Sequence, residues 1–215
     1  INSLKRLEYR GYDSAGLATL NNNKINEKKC SGRVEELENI LFNTPAEGNL
    51  GIGHVRWATH GIPNKINAHP HSSEIVSVVH NGIIENSDQL KKEIESKGLS
   101  FKSQTDTEVI TLLITESLKE NNPLDSVFET LKKLKGSFAL GIIFKNYNDM
   151  IIGARRGSPL AVGYSKNENY LGSDSYALKS MTNKISYLND GEFCLIKESQ
   201  IEFFDTNGNK VNKKI

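Results

Sequence analysis

The order of elements in this sequence predicts an α+β fold in which antiparallel sheets are covered by helices on their outer faces. Three observations carry that prediction. A strand–turn–strand pattern lies near the start, and three amphipathic helical segments follow one another between residues 86 and 134. From Gly136 onward the period changes to short apolar runs separated by turns. Those runs are 138–144, 150–154, 160–164, 170–171, 193–196 and 201–204, mostly too close together for crossover helices, which favours antiparallel pairing. Strands, then a helical hairpin, then strands again give sheets with helices packed over them.

Each element has its own signal. Residues 1–8 read as the last turns of a helix, and 9–14 as a polar, Gly-containing link. Residues 15–20 and 24–29 form a hairpin about Asn21-Asn22-Asn23. Ser31-Gly32 opens a helix that gathers Val34, Leu37, Ile40 and Leu41 on one face. A strand over 50–59 runs into a loop over 61–73, and a buried strand over 75–80 is expected to break at Asn81-Gly82. Asn86 with Gln89 makes a capping-box pattern ahead of Leu90 and Ile94, and Thr105 with Glu108 makes a second ahead of the stripe 109–118. Asn122-Pro123 starts a third helix, where Leu124, Val127, Phe128, Leu131 and Leu134 share a face. One short helix fits near 173–178, and 207–215 reads as a ragged end. No internal repeat or interdomain linker appears, so 1–215 is read as one domain.

Composition bounds the partners. With 27 basic and 26 acidic residues the net charge is +1, which gives no electrostatic case for nucleic acid or an anionic membrane. The lysines at 132–135 and 210–214 read as solvated faces and a tail. No apolar stretch approaches the roughly 18 residues of a membrane span. Cys30 and Cys194 are too few for a disulfide framework and read as free thiols in a reducing, cytoplasmic setting.

Three constellations carry chemistry. Asn81-Gly82, at the end of an apolar strand, reads first as a turn. It also places a side-chain amide beside an unencumbered backbone N–H, two donors that could meet a developing oxyanion. Arg56-Trp57-Ala58-Thr59-His60 closes a strand, and its structural reading is a surface charge beside a tryptophan core anchor. Its functional reading is a guanidinium fork that binds a carboxylate, with Thr59 and His60 as further polar contacts. Asp106, in Thr105-Asp106-Thr107-Glu108, reads as compensation of a helix dipole. Paired with Arg56, it supplies the anionic half of a site for the zwitterionic head of a free amino acid. All five histidines (His54, His60, His69, His71, His80) are close together, but they lack metal-ligand spacing, so no metal is expected. Residues 155–159, Arg155-Arg156-Gly157-Ser158-Pro159, are read as a turn between strands rather than an anion loop.

Six separated segments together resemble one family. They are 7–16, Arg56-Trp57-Ala58-Thr59-His60-Gly61, Asn67-Ala68-His69-Pro70-His71, 80–86, Thr105-Asp106-Thr107-Glu108 and Gly157-Ser158-Pro159-Leu160. In this order they are similar to the glutaminase domain of glutamine–fructose-6-phosphate aminotransferase (isomerizing), also called glucosamine-6-phosphate synthase. The resemblance spans essentially the whole chain. It implies an N-terminal-nucleophile (Ntn) hydrolase fold, a four-layer αββα sandwich of two antiparallel sheets, with no cofactor. L-Glutamine would be cut at its side-chain amide to glutamate and ammonia, for conversion of fructose 6-phosphate to glucosamine 6-phosphate in C-terminal sugar isomerase domains. Residue by residue, Arg56 would hold the substrate carboxylate and Asp106 its ammonium. Trp57, Thr59 and His60 would line the pocket, Asn81 and the Gly82 N–H would form the oxyanion hole, and Arg10 would lie near the nucleophile. A homodimer is implied for the full-length enzyme. Other readings are the glutaminase domain of another type-2 amidotransferase and a non-catalytic amino-acid-binding module.

One departure matters. The family's nucleophile is an N-terminal cysteine whose α-amine, titrating near pH 8, serves as the base. Here residue 1 is Ile, and neither Cys30 nor Cys194 falls in a matching motif. The expectation is an internal fragment that holds the pocket and oxyanion donors but does not itself turn over glutamine.

Overall fold

The computed structural model describes residues 1–58 and 61–213. Helix α1 (Asn2–Leu7) and a 3-10 turn (Glu8–Arg10) lead into β1 (Ser14–Asn21), which folds back on β2 (Lys24–Ser31). Asn22 and Asn23 both adopt positive φ (49° and 59°), which matches the twist of a two-residue hairpin loop. Helix α2 (Val34–Asn43) follows. Ser31 does not cap it; the Val34 N–H donates instead to Glu8 Oε1 at 2.7 Å, so the preceding turn closes the helix start.

Strands β3 (Leu50–Arg56), β4 (His71–Ser72) and β5 (Val76–Ile84) precede the helices α3 (Ser87–Ser96), α4 (Thr107–Ser117) and α5 (Pro123–Lys133). The rest of the chain is β6 (Gly136–Phe144), β7 (Ile151–Arg156), β8 (Ala161–Tyr164), β9 (Asn169–Gly172), α6 (Ser175–Leu178), β10 (Lys184–Tyr187), β11 (Phe193–Ile196), β12 (Ile201–Phe204) and β13 (Lys210–Val211). One seven-stranded antiparallel sheet has the order β13-β12-β11-β7-β6-β5-β4. The facing layer comes in two three-stranded pieces, β2-β1-β3 and β10-β8-β9.

Alternation along the strands builds the layers. In β6, Phe138, Leu140, Ile142 and Phe144 enter the core shared with α3, α4 and α5, whereas Ala139 and Ile143 enter the core between the sheet layers. A third core joins Leu4 of α1 to Ala15, Cys30, Val34 and Leu37, which places α1 and α2 on the outer face of the β2-β1-β3 piece. The stack is thus helix, sheet, sheet, helix, as expected, with its second sheet layer divided.

Four expectations are corrected. The strand does not break at Asn81-Gly82, because β5 continues to Ile84 in register with β6, Gly82 opposite Phe138. Gly82 has φ +142°, and a Cβ there would run into the Ser137 carbonyl oxygen. The glycine permits close approach of two strands and does not reverse the chain. Neither capping box forms. Asn86 bridges the Lys133 carbonyl (2.9 Å) and the Lys135 N–H (2.9 Å), while Glu108 accepts from the Lys102 and Ser103 N–H groups. Asn122, by contrast, caps α5 as expected, accepting from the Asp125 N–H at 3.0 Å. Strand β10 was not anticipated. The end is not ragged over 210–211, which pairs as β13, and Lys213 Nζ, half-buried, meets the buried Glu192 Oε2 at 2.5 Å.

Candidate amino-acid site between the sheet layers

A cavity of about 670 Å³ opens where the facing layer divides. Its wall includes residues of β3 and β9, the edge strands of the two three-stranded pieces, with β5 and β6 beneath. Arg10, Arg56, Trp57, Asn81, Gly82 and Asp106 all line it. Six residues drawn from distant parts of the sequence are therefore brought to one space. Thr59 and His60 lie outside the described residues.

Arg56 sits at the end of β3 and is buried, its Nη1 3.9 Å from Asp13 Oδ1 and its Nη2 donating to the Gly61 carbonyl at 3.5 Å. Burial lowers its pKa, and the carboxylates of Asp13 and Asp106 act in the opposite direction. Asp13 also accepts from the Ala58 N–H, and its own N–H donates to the Arg56 carbonyl at 3.2 Å. Gly11 lets this link lie against the strand end, since a Cβ there would come within 2.6 Å of the Trp57 nitrogen. Trp57 is 64% exposed and stands edge-on to Tyr12 at 6.0 Å, so it forms a rim and is not a core anchor. Arg10 is held from the opposite piece, donating to Ser173 Oγ at 3.2 Å and lying 3.7 Å from Asp174.

Past Val78, where pairing with β4 stops, the open edge of β5 supplies the other wall. Its N–H groups alternate between β6 and this edge. The His80 N–H turns away from β6 to donate to His69 Nδ1 (3.3 Å), and the Ile84 N–H does the same to Asp106 Oδ2 (2.7 Å). Strand parity puts the Gly82 N–H on that same edge, between two neighbours that are already bonded. The Asn81 side chain is exposed to the cavity beside it.

Beneath this edge lies a histidine cluster. His54 stacks on His69 with centroids 4.3 Å apart, and His69 meets His71 edge-on at 4.9 Å. Burial, followed by the charges of neighbouring histidines and cations, holds His54 and His71 down at about 3 and His69 well below its ordinary range. Among the described residues no three His, Cys, Asp or Glu side chains converge as a metal site. Cys30 and Cys194 are both buried away from the cavity, and burial raises both thiols, Cys194 to about 12. Arg155 and Arg156 end β7 and donate to the Leu188 and Leu134 carbonyls, and the turn expected over 155–159 begins only at Gly157.

Sequence reasoning missed Asp13, His69 and Thr107. Asp13 stood inside the polar link ahead of β1, where its acidic side chain beside Gly11 was the available signal. His69 and Thr107 stood inside named motifs, but nothing local assigned them a role, because their partners are far away in sequence.

Stacked antiparallel sheets between helical layers, with a polar site at their junction, define an N-terminal-nucleophile hydrolase fold of the amidotransferase kind. The chain belongs to the glutamine amidotransferase domain family, whose model matches residues 55–180. It is similar to glutamine–fructose-6-phosphate aminotransferase (isomerizing) of Mesorhizobium japonicum, 48% identical over 215 residues, covering 100% of this chain and 35% of that protein. The Clostridium acetobutylicum protein of the same name is 48% identical over 217 residues, with 100% and 36% covered. The chain thus spans about a third of the length of these curated relatives. Among solved structures, the glutamine phosphoribosylpyrophosphate amidotransferase of B. subtilis superposes with a TM-score of 0.81 at 26% identity, covering 97% of this chain and 46% of that one. No described helix is long and apolar enough to cross a membrane.

Proposed function

We propose that this chain is the glutamine-hydrolysing domain of an amino-sugar synthase, releasing ammonia from L-glutamine for use on fructose 6-phosphate elsewhere in a longer, homodimeric protein. The observation that carries the reading is the convergence on one cavity of a buried guanidinium, a buried helix-start carboxylate and the donor edge Asn81-Gly82. Identity of 45–49% to the sugar aminotransferases, against 26% to the phosphoribosyl enzyme, supports the sugar branch.

In this reading Arg56 grips the α-carboxylate of glutamine through its planar fork, and Asp106 faces the α-ammonium. Trp57 covers the mouth, with Thr59 and His60 as further lining and Arg10 near the attacking group. Attack on the side-chain amide carbon moves charge onto its oxygen, where the Asn81 amide and the Gly82 N–H donate. The thiol's proton, taken up by the base, passes to the leaving nitrogen, the carbon–nitrogen bond breaks to release ammonia, and water then hydrolyses the thioester to free glutamate. Cys30 and Cys194 are not the nucleophile, since both are buried elsewhere with raised pKa values. In the family this reading invokes, the attacking thiol is that of an N-terminal cysteine, deprotonated by its own α-amine.

The test is glutamine hydrolysis by the gene product with any residues encoded ahead of Ile1 present, beside the 215-residue chain alone. Each sample is run with and without a glutamine-mimicking electrophile, and its intact mass recorded. The reading expects turnover blocked by one adduct in the longer protein and none in the shorter. Turnover by the 215-residue chain, or neither turnover nor adduct in the longer protein, contradicts it.

A further inference from the structure

Three hydrogen bonds at the cavity wall link His69, His80 and Thr107, a fourth ties His80 to Ser137, and neutral imidazoles fix their directions. The His80 backbone N–H can only donate, so His69 Nδ1 accepts it (3.3 Å) and carries no proton. A neutral His69 then has its proton on Nε2, which donates to Thr107 Oγ1 at 3.4 Å. The Thr107 hydroxyl donates to His80 Nδ1 at 3.0 Å, because a neutral His80 keeps its proton on Nε2. That Nε2 donates to the Ser137 carbonyl at 3.5 Å, which can only accept. The first three bonds close a ring, and the fourth ties it to β6. Thr107 is fully buried, and His69 and His80 nearly so, which leaves no solvent to replace a lost partner. A second proton on His69 would remove the acceptor that the His80 N–H uses, so the ring exists only with that imidazole neutral.

The ring's members border the site, since His69, His80 and Thr107 are part of the cavity wall. His80 precedes Asn81-Gly82, and Thr107 follows Asp106. His69 and Asp106 occupy the N–H groups on either side of Gly82 along the open edge of β5. We infer that His69, Thr107 and His80 are positioning residues: their ring locks the donor edge of β5 to the first turn of α4, so that the Gly82 N–H and the Asp106 carboxylate hold one spacing across the ligand. This rests on reading the cavity as a glutamine site.

Nitrogen NMR of histidine-labelled chain reads the ring directly. The wild-type chain is expected to show His69 and His80 both as Nε2–H tautomers with unprotonated Nδ1. Thr107→Val, which keeps the shape and removes the hydroxyl, should shift both imidazoles and weaken L-glutamate binding about tenfold, the scale of leaving buried polar groups unpaired. Thr107→Ser should restore the tautomer signals and most of the affinity. An Nδ1–H tautomer at either histidine overturns the ring, a conclusion that needs no variant to fold. Correct tautomers with full glutamate affinity in Thr107→Val overturn the positioning role. Correct tautomers with no glutamate binding by the wild type remove the reading of the cavity, and the positioning role with it, while leaving the ring in place.

Discussion

The two faces of β5 and β6 are made by the same pair of nine-residue strands, yet one face is sealed and the other holds the cavity. Toward the helices, β6 presents Phe138, Leu140, Ile142 and Phe144, none more than 2% exposed. Toward the facing layer it presents Ala139, Gly141 and Ile143, and β5 presents Val79, Asn81 and Ile83. Alternation therefore turns the large side chains of β6 toward the helices, and its cavity side alternates Ala139 and Gly141 with Ile143. Small residues leave room where the facing layer divides, and polar backbone on an unpaired strand edge supplies the donors. The difference teaches that the site was made by withholding volume from one face of a sheet whose other face secures the fold.

That contrast can be broken by substitution. Phe144→Ala, on the sealed face, should cost about 3–5 kcal/mol in urea unfolding. Val79→Ala, beside the existing cavity, should cost about 1 kcal/mol. Equal losses would show that both faces carry the fold alike. Asn81→Ala should behave in the opposite way. Its exposed side chain contributes little to the unfolding midpoint, but loss of an oxyanion donor should lower kcat for glutamine about 100-fold in the complete enzyme. A large midpoint shift without a rate effect would assign Asn81 to structure.

Acid should act through the buried histidines under the cavity. Their folded pKa values are depressed, so the unfolded chain binds more protons below its ordinary value near 6.5. Stability is complete above that pH and falls as pH drops toward about 3, where His54 and His71 titrate in the folded chain. The slope is about 1.4 kcal/mol per pH unit for each histidine once pH is well below 6.5. Urea midpoints between pH 7.5 and 5.0 measure it, and a flat profile would mean that the rings are charged or solvated. The smallest effects separate real caps from apparent ones. Asn122→Ala should cost about 1 kcal/mol, and Gln89→Ala, whose capping box does not form, less than about 0.5 kcal/mol.

Much of this was legible in the residues. Period and turn chemistry located the hairpin about Asn21-Asn22-Asn23, the helices, and most strands, because those signals are local. Arg56, Asp106 and Asn81-Gly82 were legible as chemistry through their residue types, and the family resemblance grouped these residues, which the fold brings to one cavity. The capping boxes misled because Glu108 and Asn86 found backbone partners outside their own helices. Gly82 misled because a positive φ serves a close strand approach as well as a turn. Asp13, His69 and Thr107 stayed hidden because their roles are relations between segments that only the fold brings together. The Lys210–Val211 strand was masked by a lysine-rich composition that also suits an edge strand.

The central claim is that this cavity holds the head of an amino acid. Titration calorimetry of L-glutamate into the chain, beside the Arg56→Ala variant, tests it most directly. The account predicts saturable binding by the parent and a loss of about 1.5–3 kcal/mol in the variant, the scale of a charge-assisted contact. Unchanged affinity in Arg56→Ala would contradict it.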